Sequence, residues 1–182
     1  MKFKDLINKE DINLDKNDLI RKYLIIFIVG SIIGYIYEVL FYLVVDHNLT
    51  NPGYVYGPFL SVYGYGAVLM SLFLNRFKKN PLLVFLLAIF VTGVLEYITG
   101  YLMFSIYQRR WWDYTGLFLN IDGYVCLRSV ITFAIGGILL IYLIEPFISK
   151  KIKKNNKYIN FLIYLILLIY FIDKIFTFFY RY

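Results

Sequence analysis

The chain has 182 residues, of which 60% are apolar, 21% are aromatic and only 17% are charged. A soluble domain is nearer half apolar and a quarter charged, so this composition excludes an ordinary cytosolic enzyme, and its apolar content excludes a disordered chain. Cys126 is the only cysteine, which leaves no intramolecular disulfide and no cysteine-rich metal site. The net charge is +7, and its meaning depends on where the lysines and arginines lie along the chain.

Five stretches are long and apolar enough to cross a membrane, since a spanning helix needs about 20 such residues. Clusters of Asn, Pro, Gly, Lys and Arg separate them, and the short alternating segments typical of membrane β-barrels are missing from the sequence. We therefore predict an all-α, polytopic helical membrane protein with about five transmembrane helices. The predicted spans are 23–45, 57–74, 82–106, 124–148 and 158–180. Pro58 suits the first turn of the second and shortest span.

The distribution of lysine and arginine predicts the orientation, because cytoplasmic loops carry an excess of both. Fourteen lie before the first span or in the second and fourth loops, against three in the third loop and the C-terminal tail. The N-terminus is therefore expected in the cytoplasm and the C-terminus outside, because the number of spans is odd. The positive charge is a topology signal, so the expected partner is the lipid bilayer and no nucleic acid is expected.

The predicted organisation has three parts. Residues 1–22 are a cytoplasmic N-terminal segment, residues 23–148 are a four-helix membrane core, and residues 158–182 are a fifth transmembrane helix with a short tail.

The core contains a short internal match. The pattern Gly57-x-Phe59-Leu60-x-x-x-Gly64 recurs as Gly116-x-Phe118-Leu119-x-x-x-Gly123, 59 residues later, and Glu38 corresponds to Glu96, 58 residues later. Duplicated units are common in membrane transporters. The match predicts two parallel helix-hairpin repeats, 23–74 and 82–148, and a chance match in so biased a composition is the alternative.

Glu38, Glu96 and Arg128 lie inside predicted spans, where a charged side chain costs at least ~2.5–3.5 kcal/mol and normally faces protein or water. Both glutamates lie in the outer half of their spans, and Arg128 lies at a similar level. Residues at helical spacing share a face with each, and most of them are small: Gly30, Gly34 and Tyr42 with Glu38, Gly93 and Gly100 with Glu96, and Thr132 and Gly136 with Arg128. We expect the three charges to point into the bundle, either as a site for a solute or proton or as a structural lock.

Three further charged residues lie in the last two spans. Glu145 and Lys174 are within reach of a span end and can snorkel to it, whereas Asp173 lies deeper and needs a partner.

The loops expected on the outer side are rich in aromatic and polar residues. Aromatic walls with a few converging polar groups are typical of small-molecule pockets, although Trp and Tyr also form interfacial belts. His47 has no companions at metal-ligand spacing, so neither a metal nor a cofactor is expected. The candidate substrate-binding residues are Glu38, Tyr56, Tyr63, Glu96, Trp112, Asp113, Tyr114, Asn120 and Arg128.

Several of these residues stand in motifs that resemble a bacterial family called putative ABC-transporter type IV, or CmpB-type, over about residues 25–145. The motifs are Gly34-Tyr35-Ile36-Tyr37-Glu38, Tyr56-Gly57-Pro58, Tyr63-Gly64-x-Gly66, Glu96, Trp112-Asp113-Tyr114 and Asn120-x-x-Gly123, with Thr115 where the family pattern has Ser. The resemblance implies a multi-pass permease subunit in the bacterial cytoplasmic membrane. The chain has no G-x-x-x-x-G-K-[ST], so it is not the ATP-binding subunit. The expected protein partners are an ATPase or other membrane subunit on the cytoplasmic side and a second copy of the chain.

Three functions remain open on the sequence. The first is a permease-like subunit that binds a small solute or ion in an outward-facing site. The second is a membrane-embedded enzyme acting on a lipid or envelope precursor, with Glu38 or Glu96 as general base, although no catalytic triad or metal set is present. The third is a structural or assembly subunit in which the charges fix the helix register.

Overall fold

The computed structural model describes residues 14–45, 47–152 and 157–180, and within these ranges the regular elements are helices. They are α1 (Lys16–Val45), α2 (Ser61–Leu74), α3 (Pro81–Tyr107), α4 (Leu127–Leu139), α5 (Glu145–Ile152) and α6 (Lys157–Tyr180). A 3₁₀ turn, Asn75–Phe77, follows α2, and a π-helical segment, Leu140–Ile144, joins α4 to α5. The predicted all-α fold is confirmed. Residues 1–13 of the predicted N-terminal segment lie outside the described residues.

Four helical stretches are long and apolar enough to cross a membrane: Lys16–Val45, Pro81–Tyr107, Leu127–Ile152 and Lys157–Tyr180. They correspond to four of the five predicted spans, with the fourth shifted toward the C-terminus. The second predicted span, 57–74, is not one of these four stretches. Its helix begins at Ser61, so the prediction that Pro58 lies in the first helical turn is wrong. The 14 residues of α2 rise only about 21 Å, against a hydrocarbon core of about 30 Å.

The chain divides into two compact units. The α1–α6 unit comprises Asn13–Val68 and Phe147–Tyr182, and the described part of the α3–α4 unit is Leu69–Pro146. Each unit is described by itself.

Helices α1 and α6 run side by side in the same direction. Near their N-termini, Arg21 Nη1 donates to Asn160 Oδ1 at 2.8 Å. Each residue of a helix rises about 1.5 Å. Asp173, 13 residues after Asn160, therefore lies close to the level of Gly34, 13 residues after Arg21 and well inside α1.

The connection between α1 and α2, residues 47–60, folds back along α1 before it becomes helical. Val55 is 1% exposed and Phe59 is 8% exposed, and both pack in the core of the unit. Leu60 N donates to the carbonyl oxygen of Ser31, which lies midway along α1, at 3.1 Å. The stretch predicted from the sequence as the second span is therefore a non-helical segment followed by the short helix α2.

Asp173 of α6 binds the backbone of this non-helical stretch. Its carboxylate accepts hydrogen bonds from Tyr56 N at 3.1 Å and from Gly57 N at 2.7 Å. The prediction that Asp173 needs a partner is confirmed. A β-carbon at Gly57 would lie 2.9 Å from Asp173 Oδ2, so glycine permits this close approach.

Glycines also set the contact between α1 and α2. A β-carbon at Gly34 would overlap the Tyr63 ring, and one at Gly30 would lie 2.7 Å from the Ala67 side chain. The prediction that small residues on this face of α1 allow close helix packing is confirmed.

In the α3–α4 unit, α3 begins and ends with clear capping signals. Asn80 Oδ1 accepts from Leu83 N at 3.1 Å, Pro81 occupies the first turn, and Gln108 closes the helix in the left-handed conformation. Helix α4 packs antiparallel to α3, with Gly93 facing Val130.

At the other end of this unit, Glu145 is 3% exposed. It accepts from Ser71 Oγ at 2.9 Å and from the Asn75 amide. The prediction that Glu145 snorkels is wrong, because these donors satisfy the carboxylate where it is buried. The π segment just before it has a local cause. Pro146 has no N–H for the α-helical bond, and Glu145 N bonds to the carbonyl of Leu140.

We expect Asp173→Ala to lower the free energy of unfolding by about 1–3 kcal/mol, because the N–H groups of Tyr56 and Gly57 lose their acceptor. Asp173→Asn should lie between this variant and wild type, since the amide keeps one acceptor oxygen. The measurement is reversible unfolding of the purified chain in mixed micelles by titration with a denaturing detergent. Ile175→Ala, at an exposed position of α6, is the control, and equal losses in the alanine variants would contradict the role of Asp173.

Gly34→Ala should destabilise the protein by about 1–3 kcal/mol, because the new methyl group overlaps the Tyr63 ring. Gly136→Ala is the matched control, since a β-carbon there meets no atom within 4 Å. Both changes raise helix propensity similarly, so the difference between them isolates the steric cost. The same unfolding titration measures it, and equal stability of the two variants would disprove the close contact.

Candidate functional site

Glu96 occupies the middle of the buried face of α3. The buried residues of this helix recur every four positions: Val84, Ala88, Thr92, Glu96 and Gly100. This spacing keeps them on one side of the helix. Glu96 is 4% exposed, so its carboxyl group lies inside the protein, as predicted.

Both carboxyl oxygens of Glu96 have hydroxyl partners. Tyr114 Oη donates to Oε1 at 2.9 Å, and Ser129 Oγ lies 2.7 Å from Oε2. Tyr114 was a candidate on the sequence, whereas Ser129 was not. Its signal is weak, because a serine in the first turn of a helix is ordinary capping chemistry.

The connection between α3 and α4, residues 108–126, brings Tyr114 down to Glu96. Ser129 is the third residue of α4 and contacts Glu96. Helix α4 therefore begins beside the middle of α3 and not beside its C-terminal end. From Glu96, α3 continues for 11 residues to Tyr107, a rise of about 16 Å. The connection therefore folds back along the last turns of α3.

Asp113 holds the turn next to Tyr114. Its Oδ1 accepts from the Thr115 hydroxyl at 2.5 Å, from Thr115 N at 2.9 Å and from Arg110 at 3.2 Å. The hydrogen bonds from Thr115, with a contribution from the Arg110 charge, lower the pKa of the Asp113 carboxyl below its ordinary value. Asp113 is thus an ionised anchor of the turn, and its side chain is 52% exposed.

Gly123 and Trp112 fix the rest of this connection. Gly123 has a φ of +71°, and its carbonyl accepts from Tyr114 N at 2.9 Å. A β-carbon there would overlap the Arg110 guanidinium, so the position requires glycine. Trp112 Nε1 donates to the Tyr124 carbonyl at 2.8 Å, and its ring lies against Gly100 of α3.

Asn120 also stabilises the connection. Its Nδ2 donates to the Leu117 carbonyl at 2.9 Å, and its Oδ1 accepts from Gly123 N at 3.2 Å. These hydrogen bonds of Asn120 therefore stabilise the turns of the connection that positions Tyr114.

Arg128 does not lie on the buried face of α4. The buried residues of this helix are Ser129, Val130, Ala134 and Gly137, whereas Arg128 and Gly136 are exposed. The prediction that the face of Arg128 and Gly136 points into the bundle is wrong. The reason is the start of the helix: α4 begins at Leu127, so Arg128 lies in its first turn and not four residues inside a span.

In the α1–α6 unit, Glu38 pairs with Tyr63. The Tyr63 hydroxyl donates to Glu38 Oε1, and the Tyr63 ring lies against Gly34 one turn away. The side chain of Tyr56 is 50% exposed, and its ring packs against Phe176 with 6.1 Å between centroids.

The structure thus contains two pairs of a helix glutamate and a tyrosine hydroxyl, one in each unit. A carboxyl group held by hydroxyls can exchange a proton or accept a small cation, because hydroxyls both donate and accept. The described residues include no group of three or more His, Cys, Asp or Glu side chains that could hold a metal ion. The local conformation of the repeated sequence pattern differs between the units, since Gly64 lies within α2 and Gly123 lies in a turn.

Comparison with curated proteins and with solved structures gave no match. The family described as putative ABC-transporter type IV matches residues 25–178, from α1 through most of α6. With four helical stretches able to cross a membrane, the chain is a multi-pass membrane protein. Because the match covers most of its length, the chain belongs to the putative ABC-transporter type IV family and is related to membrane transport.

Proposed function

We propose that the protein is a permease-like transporter subunit that binds a small solute or ion at an outward-facing site centred on Glu96. The observation that carries the proposal is a carboxyl group 4% exposed in a membrane-spanning helix, bonded by Tyr114 and Ser129. A charged residue at such a depth costs at least ~2.5–3.5 kcal/mol on insertion scales, and such residues commonly mark transport pathways.

The position of the site relative to the helix ends supports access from the outer side. Tyr114 reaches Glu96 from the 108–126 connection, which carries two arginines, against 14 lysines and arginines on the opposite side of the predicted topology. Asp113, Trp112 and Asn120 belong to the proposal as the residues that shape this connection.

The proposal includes Glu38 and Tyr63 as a second carboxyl site within the α1–α6 unit, with Tyr56 as a flanking residue of that unit. Arg128 is proposed as a flanking residue of the Glu96 site in the α3–α4 unit. Glu38 is only partly buried, so a solute or ion reaches it more easily than Glu96. The two glutamates then serve as separate positions for the same class of small ligand.

The energy for transport is proposed to come from an ATPase or other membrane subunit on the cytoplasmic side, because the chain has no nucleotide-binding motif. The turn after α2 offers a fixed contact for such a partner. Tyr142 Oη donates to the Lys78 carbonyl at 2.7 Å, and the Asn75 side chain donates to Glu145. These two bonds hold the short basic turn against the segment that joins α4 to α5. Association with a second copy of the chain is part of the same proposal.

The full chain in lipid nanodiscs should be stabilised by at least one probe among protons (added by lowering the pH), Na⁺, K⁺, Mg²⁺, small amino acids and simple sugars. At 100 times its Kd a ligand adds about 2.7 kcal/mol to the free energy of unfolding, which thermal unfolding detects. Glu96→Gln should weaken that ligand at least tenfold, a loss of about 1.4 kcal/mol, because the amide cannot carry negative charge.

Tyr142→Phe is the matched control, since it removes a hydroxyl from the same unit whose bond is to the Lys78 carbonyl. It should bind the probe like wild type. The proposed function fails if no probe stabilises the wild-type chain or if Glu96→Gln keeps full affinity.

We place the protein in the bacterial cytoplasmic membrane with its N-terminus in the cytoplasm and its C-terminus outside. In a Cys126→Ser background, Gln108→Cys should react with a membrane-impermeant maleimide on intact cells, and Lys79→Cys should react only after permeabilisation. Both positions are exposed at opposite ends of α3. The reverse labelling pattern would refute this orientation.

A further inference from the structure

Ser129 makes three polar contacts with a single hydroxyl group. Its Oγ lies 2.7 Å from Glu96 Oε2, 2.9 Å from the Cys126 carbonyl oxygen and 3.1 Å from Cys126 N. A serine hydroxyl has one proton to donate and two lone pairs that accept. The backbone N–H can only donate and the carbonyl can only accept. The contact with Cys126 N therefore uses one lone pair, and the contact with the Cys126 carbonyl uses the proton.

The contact with Glu96 then depends on the protonation state of the glutamate. An ionised carboxylate only accepts, so Oε2 and the Cys126 carbonyl would compete for the one proton of Ser129. A protonated carboxyl group donates from Oε2 to the remaining lone pair of Ser129 Oγ. All three contacts are then hydrogen bonds, and Oε1 still accepts from Tyr114.

Water offers little compensation here, because all three residues are buried. Glu96 is 4% exposed, Ser129 is 7% exposed and Cys126 is 1% exposed. When Glu96 is ionised, Ser129 can donate to Oε2 or to the Cys126 carbonyl but not fully to both, so one of the three contacts has no proton of its own.

We propose that the ion taken up by the Glu96 site is a proton, carried on Oε2, and that Ser129 transmits its release to the start of α4. This inference rests on the proposed function and names the ligand of the same site. On release the proton passes to water and Glu96 becomes a carboxylate. The Ser129 hydroxyl then turns from the Cys126 carbonyl to Oε2, and no other covalent bond changes. The Cys126 carbonyl keeps its bond from Val130 N, at 3.2 Å.

The consequence for α4 follows from helix capping. Cys126 is the N-cap residue of α4, and its carbonyl begins the first helical turn. Loss of the bond from Ser129 changes the hydrogen bonding of that turn whenever Glu96 gives up its proton. Proton release is thereby coupled to the junction between α4 and the 108–126 connection.

Other titratable and charged groups lie on the elements that surround Glu96. Tyr114 is on the connection, Cys126 and Arg128 are at the start of α4, and Tyr97 is beside Glu96 on α3 with its hydroxyl bonded to Asp122. A test must therefore assign the titrating group by substitution of Glu96 itself.

Infrared spectroscopy of the full chain in lipid nanodiscs tests both parts of the proposal. Wild type at neutral pH should show the carbonyl stretch of a protonated carboxyl group that is missing in Glu96→Gln. Because Cys126 is the only cysteine, cysteine labelled with ¹³C at its carbonyl marks one backbone carbonyl in the chain. As the pH rises and the acid band disappears, the Cys126 carbonyl band should move to higher frequency with the same midpoint.

Three variants separate the coupling from a general effect of pH. In Glu96→Gln the amide donates permanently to Ser129, so the Cys126 band should stay at its low-pH position at every pH. In Ser129→Ala the band should not move when Glu96 titrates. Thr132→Ala removes a hydroxyl of the same helix that bonds to the Arg128 carbonyl, and it should behave as wild type.

The proposal is overturned if wild type has no acid band assigned to Glu96 at neutral pH, or if the Cys126 band does not follow it. The proposed function survives that result when a solute still binds through Glu96 in the thermal experiment. If neither the acid band nor Glu96-dependent binding is found, both are rejected.

Discussion

The hydrogen bonds from Tyr56 N and Gly57 N to the Asp173 carboxylate meet a constraint on which the whole architecture depends. Backbone N–H and C=O groups inside a membrane must find partners within the protein, which is why spanning segments are normally continuous helices. The stretch before α2 is not helical, yet it lies at a level well inside α1. The partly buried Asp173 carboxylate of α6 makes this arrangement possible, and α2 can therefore be a helix of only 14 residues.

The α3–α4 unit meets the same constraint by different means. Here the 108–126 connection folds back along α3, and its backbone is bonded by its own side chains, including Asp113 and Asn120. In both units a non-helical stretch therefore lies beside the helix that carries a glutamate. The arrangement supplies tyrosine hydroxyls to Glu38 and Glu96, although the repeated glycine patterns adopt different local conformations in the two units.

Hydropathy predicted the long helices, because a run of apolar side chains is what the bilayer core requires. It also singled out Glu96, since any charge in such a run is costly. It missed the start of α2, because bonds to Asp173, more than 100 positions away, replace the missing helix there. The direction of Arg128 was missed because small residues occur on both faces of α4, and the face with Ala134 and Gly137 is the one that is buried, whereas Gly136 is exposed. Ser129 gave only a weak signal, because a serine in the first turn of a helix is common and its contact with Glu96 comes from another helix.

The carboxyl groups of Asp173 and Glu96 differ in what their hydrogen-bond partners can do. Each oxygen of Asp173 accepts from a backbone amide, which can only donate, and the Thr177 hydroxyl adds a longer contact of 3.4 Å to Oδ1. Ser129 can either donate to Glu96 or accept from it, and Tyr114 donates to the oxygen that remains an acceptor in both states. The first arrangement holds a chain segment in one position. The second tolerates the gain and loss of a proton without leaving Glu96 unbonded, and it is this reversibility that distinguishes a candidate transport residue from a structural one.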